Sequence, residues 1–244
     1  MNTSRRLLVT GAHRPLGAAL VRQVLASGHT AAVTVPEPRR VPALTDLADE
    51  HPGRIHVIAW DATDATGKAR VVQQVRAALG GIDRAIVAEL PLTPPTDDMA
   101  DDLRPAMLAL DAAPIVHATA TLVSATLHAT QVAATLLHDV PDARVLLLAS
   151  WLGSTTTKIR GGEHLAAVPH AAQLMLARTL QHDLASGGIA TVVANPGRYR
   201  TDPAGLAFQA DAETVAAALL ERLDAPPPDG EPVFLDWRGG PQHW

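Results

Sequence analysis

The sequence predicts an α/β fold in which a doubly wound parallel sheet of about seven strands has helices on both faces. Short apolar runs alternate with longer segments of helical periodicity, and the connections between them are short. Glycine follows several of the helical segments, as it does at helix ends. Since strand–helix–strand crossovers are right-handed, this alternation favours one continuous sheet. Without an internal repeat or a linker, residues 1–244 are predicted to form a single domain.

The first elements follow the chain in strict alternation. RLLVT at residues 6–10 is a short apolar run typical of a buried parallel strand, and Gly11 ends it. Residues 16–28 predict a helix that closes at its final glycine. TAAVTV at residues 30–35 predicts the second strand. Thus the glycine-rich segment joins the first strand to the first helix.

The next elements repeat this arrangement. A third strand is predicted at residues 54–61, a helix at 65–81 and a fourth strand at 82–90. The acidic, proline-rich residues 91–105 predict an excursion on the surface. Later strands are predicted at residues 144–150, 189–197 and 231–237. Later helices are predicted at residues 114–140, 170–188 and 211–224.

Composition excludes several classes of protein. The net charge is −5 and basic residues do not cluster, which disfavours nucleic acid and anionic membranes as partners. The absence of cysteine removes disulfides and thiolate metal sites, and we expect no metal site. No signal segment opens the chain, and no apolar run is judged long enough to span a bilayer. The expectation is a soluble cytoplasmic protein.

The segment TGAHRPLG at residues 10–17 predicts a nucleotide-binding loop. A glycine turn that leads into a helix exposes backbone N–H groups and the positive end of the helix dipole to a pyrophosphate. Gly11 and Gly17 occupy the turn and the helix–sheet contact, but Pro15 lacks an N–H and restricts the residue before it. The alternative is a loop that only connects the strand to the helix.

Several motifs in the same order resemble the short-chain dehydrogenase/reductase family, whose fold is Rossmann-like. They are the glycines of residues 10–17, WDATD at 60–64, LLLASWLG at 146–153, the segment 176–201 and PVFLDWRGG at 232–240. The resemblance implies a bound NAD or NADP. The candidate cofactor-binding residues are Thr10, Gly11, His13, Arg14, Gly17, Asp61, Ala88, Pro196, Gly197 and Thr201. NADP is preferred because Arg14, Arg39 and Arg40 are available for a 2′-phosphate; alternatively, they are solvated surface charges.

The resemblance also implies that the family's catalytic groups are missing. Alignment of the helix at 170–188 places Ala166 at the family's catalytic tyrosine and His170 at its lysine. Leu122 falls at the asparagine of the long helix, and residues 87–90 (VAEL) replace Asn-Asn-Ala-Gly. Ser150 falls at the family's catalytic serine. Ketone reduction by the family's usual mechanism is therefore not expected.

Four residues are candidates for catalysis, each with a structural alternative. Ser150 ends a central strand, where doubly wound sheets bind ligands, or is an incidental serine. His170 follows Pro169, so the dipole of a helix that begins there is expected to lower its pKa. His164 is expected in the preceding loop, where it faces the cleft or lies on the surface. Glu89 ends the fourth strand, as a general base or a solvated carboxylate.

Three functions remain open. The first is an enzyme that applies a non-redox step (proton transfer, dehydration, isomerisation or cyclisation) to a small molecule of the secondary-metabolite kind. The second is an NADPH-dependent ketone oxidoreductase with a histidine as proton donor. The third is a non-catalytic partner subunit or ligand sensor. Under all three the resemblance implies a homodimer or homotetramer through helices 114–140 and 170–186.

Overall fold

Seven parallel strands form one sheet in the order β3-β2-β1-β4-β5-β6-β7. A computed structural model describes residues 4–90, 108–159, 161–200, 210–225 and 233–244. The strands are β1 Arg6–Thr10, β2 Thr30–Val35, β3 Ile55–Ala59, β4 Arg84–Val87, β5 Arg144–Leu148, β6 Ala190–Asn195 and β7 Phe234–Asp236. The strand order reverses between β1 and β4, and ligands of such sheets bind outside the carboxyl ends of the strands at that point.

Six α-helices in the described residues cover the two faces of this sheet. They are α1 Pro15–Ala26, α2 Pro42–Glu50, α3 Lys68–Leu79, α4 Ala112–Leu137, α5 His164–Ser186 and α6 Ala212–Asp224. Side chains of α3, α4 and α5 share one apolar core, and those of α1, α2 and α6 share the other. Along β1, Leu8 enters the first core while Leu7 and Val9 enter the second, because successive side chains of a strand point to opposite faces. The predicted fold class is confirmed.

The structure changes three details of the predicted elements. The short helix α2 was not predicted, because it is polar and buries only Leu44 and Leu47. β4 covers Arg84–Val87 rather than residues 82–90. Helix α5 begins at His164 rather than at residue 170, and Pro169 lies inside it. The excursion predicted at residues 91–105 lies outside the described residues.

Helix α4 corrects the expectation that no apolar run reaches membrane-spanning length. Its 26 residues are long and apolar enough to cross a bilayer, and half of its most apolar window is buried in the protein. The buried side chains, Leu122, Ala129 and Val132 among them, pack in the core shared with α3 and α5. This packing is consistent with the core helix of a soluble protein.

An ionic cluster fixes the amino ends of the central strands. The side chain of Arg84, at the start of β4, is 3% exposed and contacts Asp142 at 2.7 Å and Asp224 at 3.4 Å. Arg144, at the start of β5, also pairs with Asp142 at 2.9 Å. The cluster therefore ties β4 and β5 to the end of α6, at the end of the sheet opposite the carboxyl ends of the strands.

Candidate functional site

The loop between β1 and α1 packs directly against the end of β4. Gly11 has a φ of +67°, and a Cβ atom there would lie 2.3 Å from the carbonyl oxygen of Ala88. A Cβ atom on Gly17 would lie 2.3 Å from the carbonyl oxygen of Gly11. Neither approach accommodates a side chain, so both glycines are required by the packing of the loop. The sequence predicts Gly11 at the turn and Gly17 at the helix–sheet contact, but it does not predict the approach of Gly11 to Ala88.

Pro15 fits this loop without disturbing the helix. It is the first residue of α1, where an N–H would have no acceptor within the helix. Arg14 is extended, with φ −91° and ψ 151°, as the residue before a proline must be. Its N–H donates to the carbonyl oxygen of Gly11 at 3.1 Å and closes the turn. The first-turn amides of Leu16 and Gly17 have no acceptor within the helix and remain for a ligand or water.

Polar atoms are buried in this loop without hydrogen-bond partners in the described part of the chain. They are Thr10 Oγ1, His13 Nδ1 and Arg14 Nε. Each such buried group costs about 1–3 kcal/mol while it is unsatisfied. A polar ligand that reaches them would recover that cost. The loop therefore fits the phosphate and ribose groups of a dinucleotide, with the glycine turn and these side chains around them.

Glu89 belongs to the same group of residues. Its side chain is buried, at 5% exposure, and burial raises the pKa of its carboxyl. The Thr10 hydroxyl lies close enough to favour the ionised form, although it makes no regular hydrogen bond, and Arg14 lowers the pKa further. Asp61 raises the pKa of Glu89. Burial lowers the pKa of His13, and Asp61 counteracts part of that shift. The charges that act on Glu89 are thus Arg14 of the loop between β1 and α1 and Asp61, which follows β3.

The segment after β6 reaches this loop as well. Gly197 adopts a φ of +67°, and its N–H donates to Asn195 Oδ1 at 3.0 Å. Burial raises the pKa of Tyr199, and the Arg14 guanidinium lowers it, which places the phenol near the loop. Pro196 lies between these residues and is buried. Thr201 lies outside the described residues.

Two further arginines lie at the carboxyl side of β2. Arg39 and Arg40 form the short 3-10 turn Pro38–Arg40, and both are exposed. Arg40 pairs with Glu37 at 2.7 Å, at the surface. Their position leaves both predicted roles open.

The turn that begins at Ser150 packs against α5 at His170, beyond the carboxyl end of β5. Ser150 Oγ accepts a hydrogen bond from the N–H of Leu152 at 3.2 Å and begins the short turn Trp151–Gly153. A Cβ atom on Gly153 would lie 2.3 Å from the carbonyl carbon and oxygen of His170. The serine turn therefore rests on the backbone of α5 at His170, a contact that was not predicted from the sequence.

His170 is almost completely buried, at 2% exposure, and its Nδ1 lies 3.3 Å from Gln173 Oε1. Burial lowers the pKa of the imidazole, which the contact with Gln173 opposes only in part. The predicted direction of this shift is confirmed, but its predicted cause is wrong. Helix α5 begins six residues earlier, so His170 does not lie in the first turn, where the dipole acts.

His164 is the first residue of α5 rather than part of a loop. Glu163 precedes it with a φ of 57° and pairs with Lys158 at 2.8 Å. Because a helix turns about 100° per residue, the side chains of His164 and His170 point roughly 120° apart. The two histidines therefore lie on different faces of α5.

Gln173 is a site residue that the sequence analysis missed. It is 0% exposed, and its Nε2 lies 3.0 Å from Thr126 Oγ1 in α4. The same nitrogen lies 3.3 Å from the carbonyl oxygen of Leu148 and 3.4 Å from that of Glu89. An amide isolated in the apolar stretch HAAQLMLA was the available signal. The contacts with β4, β5 and α4 could not be derived from it.

Comparison with known proteins agrees with this geometry. Residues 5–211 match the family model described as short chain dehydrogenase. The chain therefore belongs to the short-chain dehydrogenase family. No protein of curated function matches the sequence.

Solved structures show the same fold over nearly the whole chain. A putative short-chain dehydrogenase/reductase from Burkholderia multivorans with bound NADP is 23% identical, with a TM-score of 0.78 over 99% of this chain and 100% of that one. An NADPH-bound carbonyl reductase from chicken fatty liver is 20% identical, with a TM-score of 0.77 over 99% of each chain. The carbonyl reductase Sniffer of D. melanogaster is 21% identical, with a TM-score of 0.74 over 99% of this chain and 100% of that one.

Proposed function

We propose that this protein binds NAD(P), with NADP preferred, and catalyses an acid–base step on a small molecule without the family's usual tyrosine and lysine. The observation that supports nucleotide binding is the cradle formed by Gly11, Gly17 and the unpaired buried atoms of Thr10, His13 and Arg14. NADP or NADPH in two of the structurally similar proteins supports the preference for the 2′-phosphate. Arg14 is the arginine of the loop available for an anionic group.

The proposed chemistry rests on His170 rather than on a phenol. With Ala166 aligned to the tyrosine and His170 to the lysine, the only side chain of this pair that exchanges a proton is the imidazole. Burial favours its neutral form, which accepts a proton from an O–H or an activated C–H group. Ser150 Oγ, at the end of β5, would hold the oxygen of the substrate. Proton transfer, dehydration, isomerisation and cyclisation all use such a base.

A second function is NADPH-dependent carbonyl reduction with a histidine as proton donor. The similarity in fold to two carbonyl reductases favours it. A bound NADPH would supply the hydride in that reaction. His170 would then have to donate a proton, and its lowered pKa disfavours the cationic form that does so most readily.

Nucleotide binding is tested by thermal unfolding of the purified protein with NADPH, NADP, NADH or NAD. A nucleotide at 100 times its Kd adds about 2.7 kcal/mol to the free energy of unfolding. We expect NADPH and NADP to stabilise the protein, and Arg14→Ala to reduce this effect while Arg70→Ala, on the exposed surface of α3, does not. Stabilisation by none of the four nucleotides would overturn the proposal.

Deuterium exchange and NADPH consumption distinguish the two proposed reactions. Proton transfer exchanges an activated C–H of a carbonyl compound for deuterium in D₂O, without a change in nicotinamide absorbance. Carbonyl reduction consumes NADPH. His170→Gln should abolish either activity, and retention of activity by that variant would contradict the role of His170.

We also propose that the protein self-associates through α4 and α5 in the cytoplasm. Both helices expose large apolar side chains, with Val116 65%, Leu165 54%, Val168 46% and Met175 67% exposed. Exposed apolar surface of this kind is typical of an interface. Small molecules, rather than nucleic acids or membranes, are the other proposed partners.

A further inference from the structure

Gln173 connects His170 to the three elements that surround the candidate active site. It lies three residues after His170, so both side chains are on one face of α5. Its amide nitrogen contacts the ends of β4 and β5 and the hydroxyl of Thr126 in α4. Its amide oxygen faces the imidazole of His170.

The orientation of this amide follows from its neighbours. The carbonyl oxygens of Leu148 and Glu89 can only accept hydrogen bonds, so the group that faces them must be the NH₂. The opposite assignment would place the amide oxygen against two carbonyl oxygens in a buried environment, where like partial charges repel strongly. The amide oxygen must therefore be the atom 3.3 Å from His170 Nδ1.

An amide oxygen is an acceptor, so the ring nitrogen that faces it must be a donor. Extending the proposed function, on which this inference rests, we propose that Gln173 is a positioning residue that holds His170 as its Nδ1–H tautomer, with Nε2 as the basic nitrogen. Buried histidines elsewhere acquire their tautomer in the same way, from the hydrogen bond made by the other nitrogen. Here the support is a buried amide fixed by two backbone carbonyls.

The tautomer determines the chemistry available to His170. The lone pair on Nε2 takes the proton of a substrate O–H or C–H bond, whose electron pair stays with the substrate. The ring then becomes an imidazolium, and Gln173 Oε1, which accepts from Nδ1–H, stabilises the new positive charge. The proton returns from Nε2 to another atom of the product or to water, and the neutral imidazole is restored. Ala166, one turn earlier on α5, offers only a methyl group at this face.

The experiment is long-range ¹H–¹⁵N correlation spectroscopy of the histidine rings in the full-length protein without nucleotide, at neutral pH. His170→Asn identifies the signals of His170 by their loss. We expect the wild-type ring to show a protonated Nδ1 and a pyridine-type Nε2. The opposite pattern in the wild-type protein would overturn the inference without any variant of Gln173.

Gln173→Met removes the acceptor at similar volume, and we expect loss of the Nδ1–H pattern of His170. Gln181→Met is the matched control, because Gln181 is also buried in α5 and donates to the carbonyl oxygens of Thr191 and Val233. This control should leave the His170 pattern unchanged. Persistence of the Nδ1–H pattern in Gln173→Met, or its equal loss in Gln181→Met, would refute the role of Gln173. Since neither nucleotide nor substrate is present, failure of the proposed function would leave these spectra unchanged.

Discussion

Replacement of Gly11 by alanine tests whether the predicted nucleotide-binding loop, residues 10–17, requires its contact with the end of β4. Two penalties combine at this position. A non-glycine residue in the left-handed region, here at a φ of +67°, costs about 1–2 kcal/mol. The new Cβ would also lie 2.3 Å from the oxygen and 2.8 Å from the carbon of the Ala88 carbonyl, and such overpacking costs about 1–3 kcal/mol. Gly11→Ala should therefore destabilise the protein by roughly 2–5 kcal/mol.

Gly28→Ala is the matched control for the backbone penalty alone. Gly28 has a φ of +83°, and nothing lies within 4 Å of the position of its Cβ atom. This variant should lose only about 1–2 kcal/mol. For a chain of this length each kcal/mol lowers Tm by roughly 2–4 °C, so the losses in Tm are roughly 4–20 °C for Gly11→Ala and 2–8 °C for Gly28→Ala.

The assay is urea unfolding followed by far-UV circular dichroism, with Tm as a second measurement. The quantity of interest is the difference between the two variants, because it isolates the contact with Ala88 from the common backbone penalty. Equal losses of stability in Gly11→Ala and Gly28→Ala would refute the close approach of the loop to β4. The cradle proposed for the nucleotide would then lose its main geometric support.

Three further outcomes are expected. Burial raises the folded-state pKa of Glu89. The contribution of this carboxyl to stability is therefore present below the unfolded pKa of about 4.3 and is lost as pH rises through the folded pKa. Between pH 4 and pH 8, Glu89→Gln should gain stability relative to wild type, by about 1.4 kcal/mol per unit of pKa elevation. Urea unfolding at both pH values measures this, with the exposed Glu50→Gln as control, and a pH-independent difference would contradict it. Arg84→Met removes a buried guanidinium with its hydrogen bonds to the Asp142 carboxylate and the Asp83 carbonyl oxygen, while Arg144 still pairs with Asp142. It should cost about 1–3 kcal/mol in the same assay, whereas a neutral effect would show that the cluster adds nothing. Met175→Asp should lower the mass measured by light scattering, and an unchanged mass would exclude Met175 from the interface.

The fold could be predicted because its signals are local and repeated. β2 has the predicted boundaries, since TAAVTV is a buried apolar run between two turns. Helix α5 shows the limit of such signals. A proline at the start of an apolar stretch is typical of a first turn, but Pro169 is buried in the second turn of a helix that begins at His164. Directly after this extra turn, Gly153 packs on the backbone of His170, a tertiary contact that local signals do not reveal.

The candidate site was predictable where backbone geometry determines it. The sequence indicates Gly11 and Gly17 because their spacing has a steric cause, and the structure shows that cause directly. The environment of Glu89 was open, since a strand end can face water or a cleft, and its burial beside Arg14 depends on the whole loop. Gln173 was not predictable, because three of its four partners come from outside its own helix, at the ends of β4 and β5 and in α4.

The loop between β1 and α1 and the surroundings of the His170 imidazole are therefore constrained by different kinds of contact. In the phosphate loop, atoms of the backbone itself are in contact, so even one methyl group at Gly11 would displace either the loop or β4. The imidazole of His170, by contrast, contacts the side-chain amide of Gln173, and such groups can be exchanged for other polar groups without backbone movement. Substitution can thus change the acid–base groups while the cradle stays intact. This difference would allow one chain to retain the geometry for a dinucleotide while the proposed proton acceptor, His170 held by Gln173, differs from the tyrosine of the family.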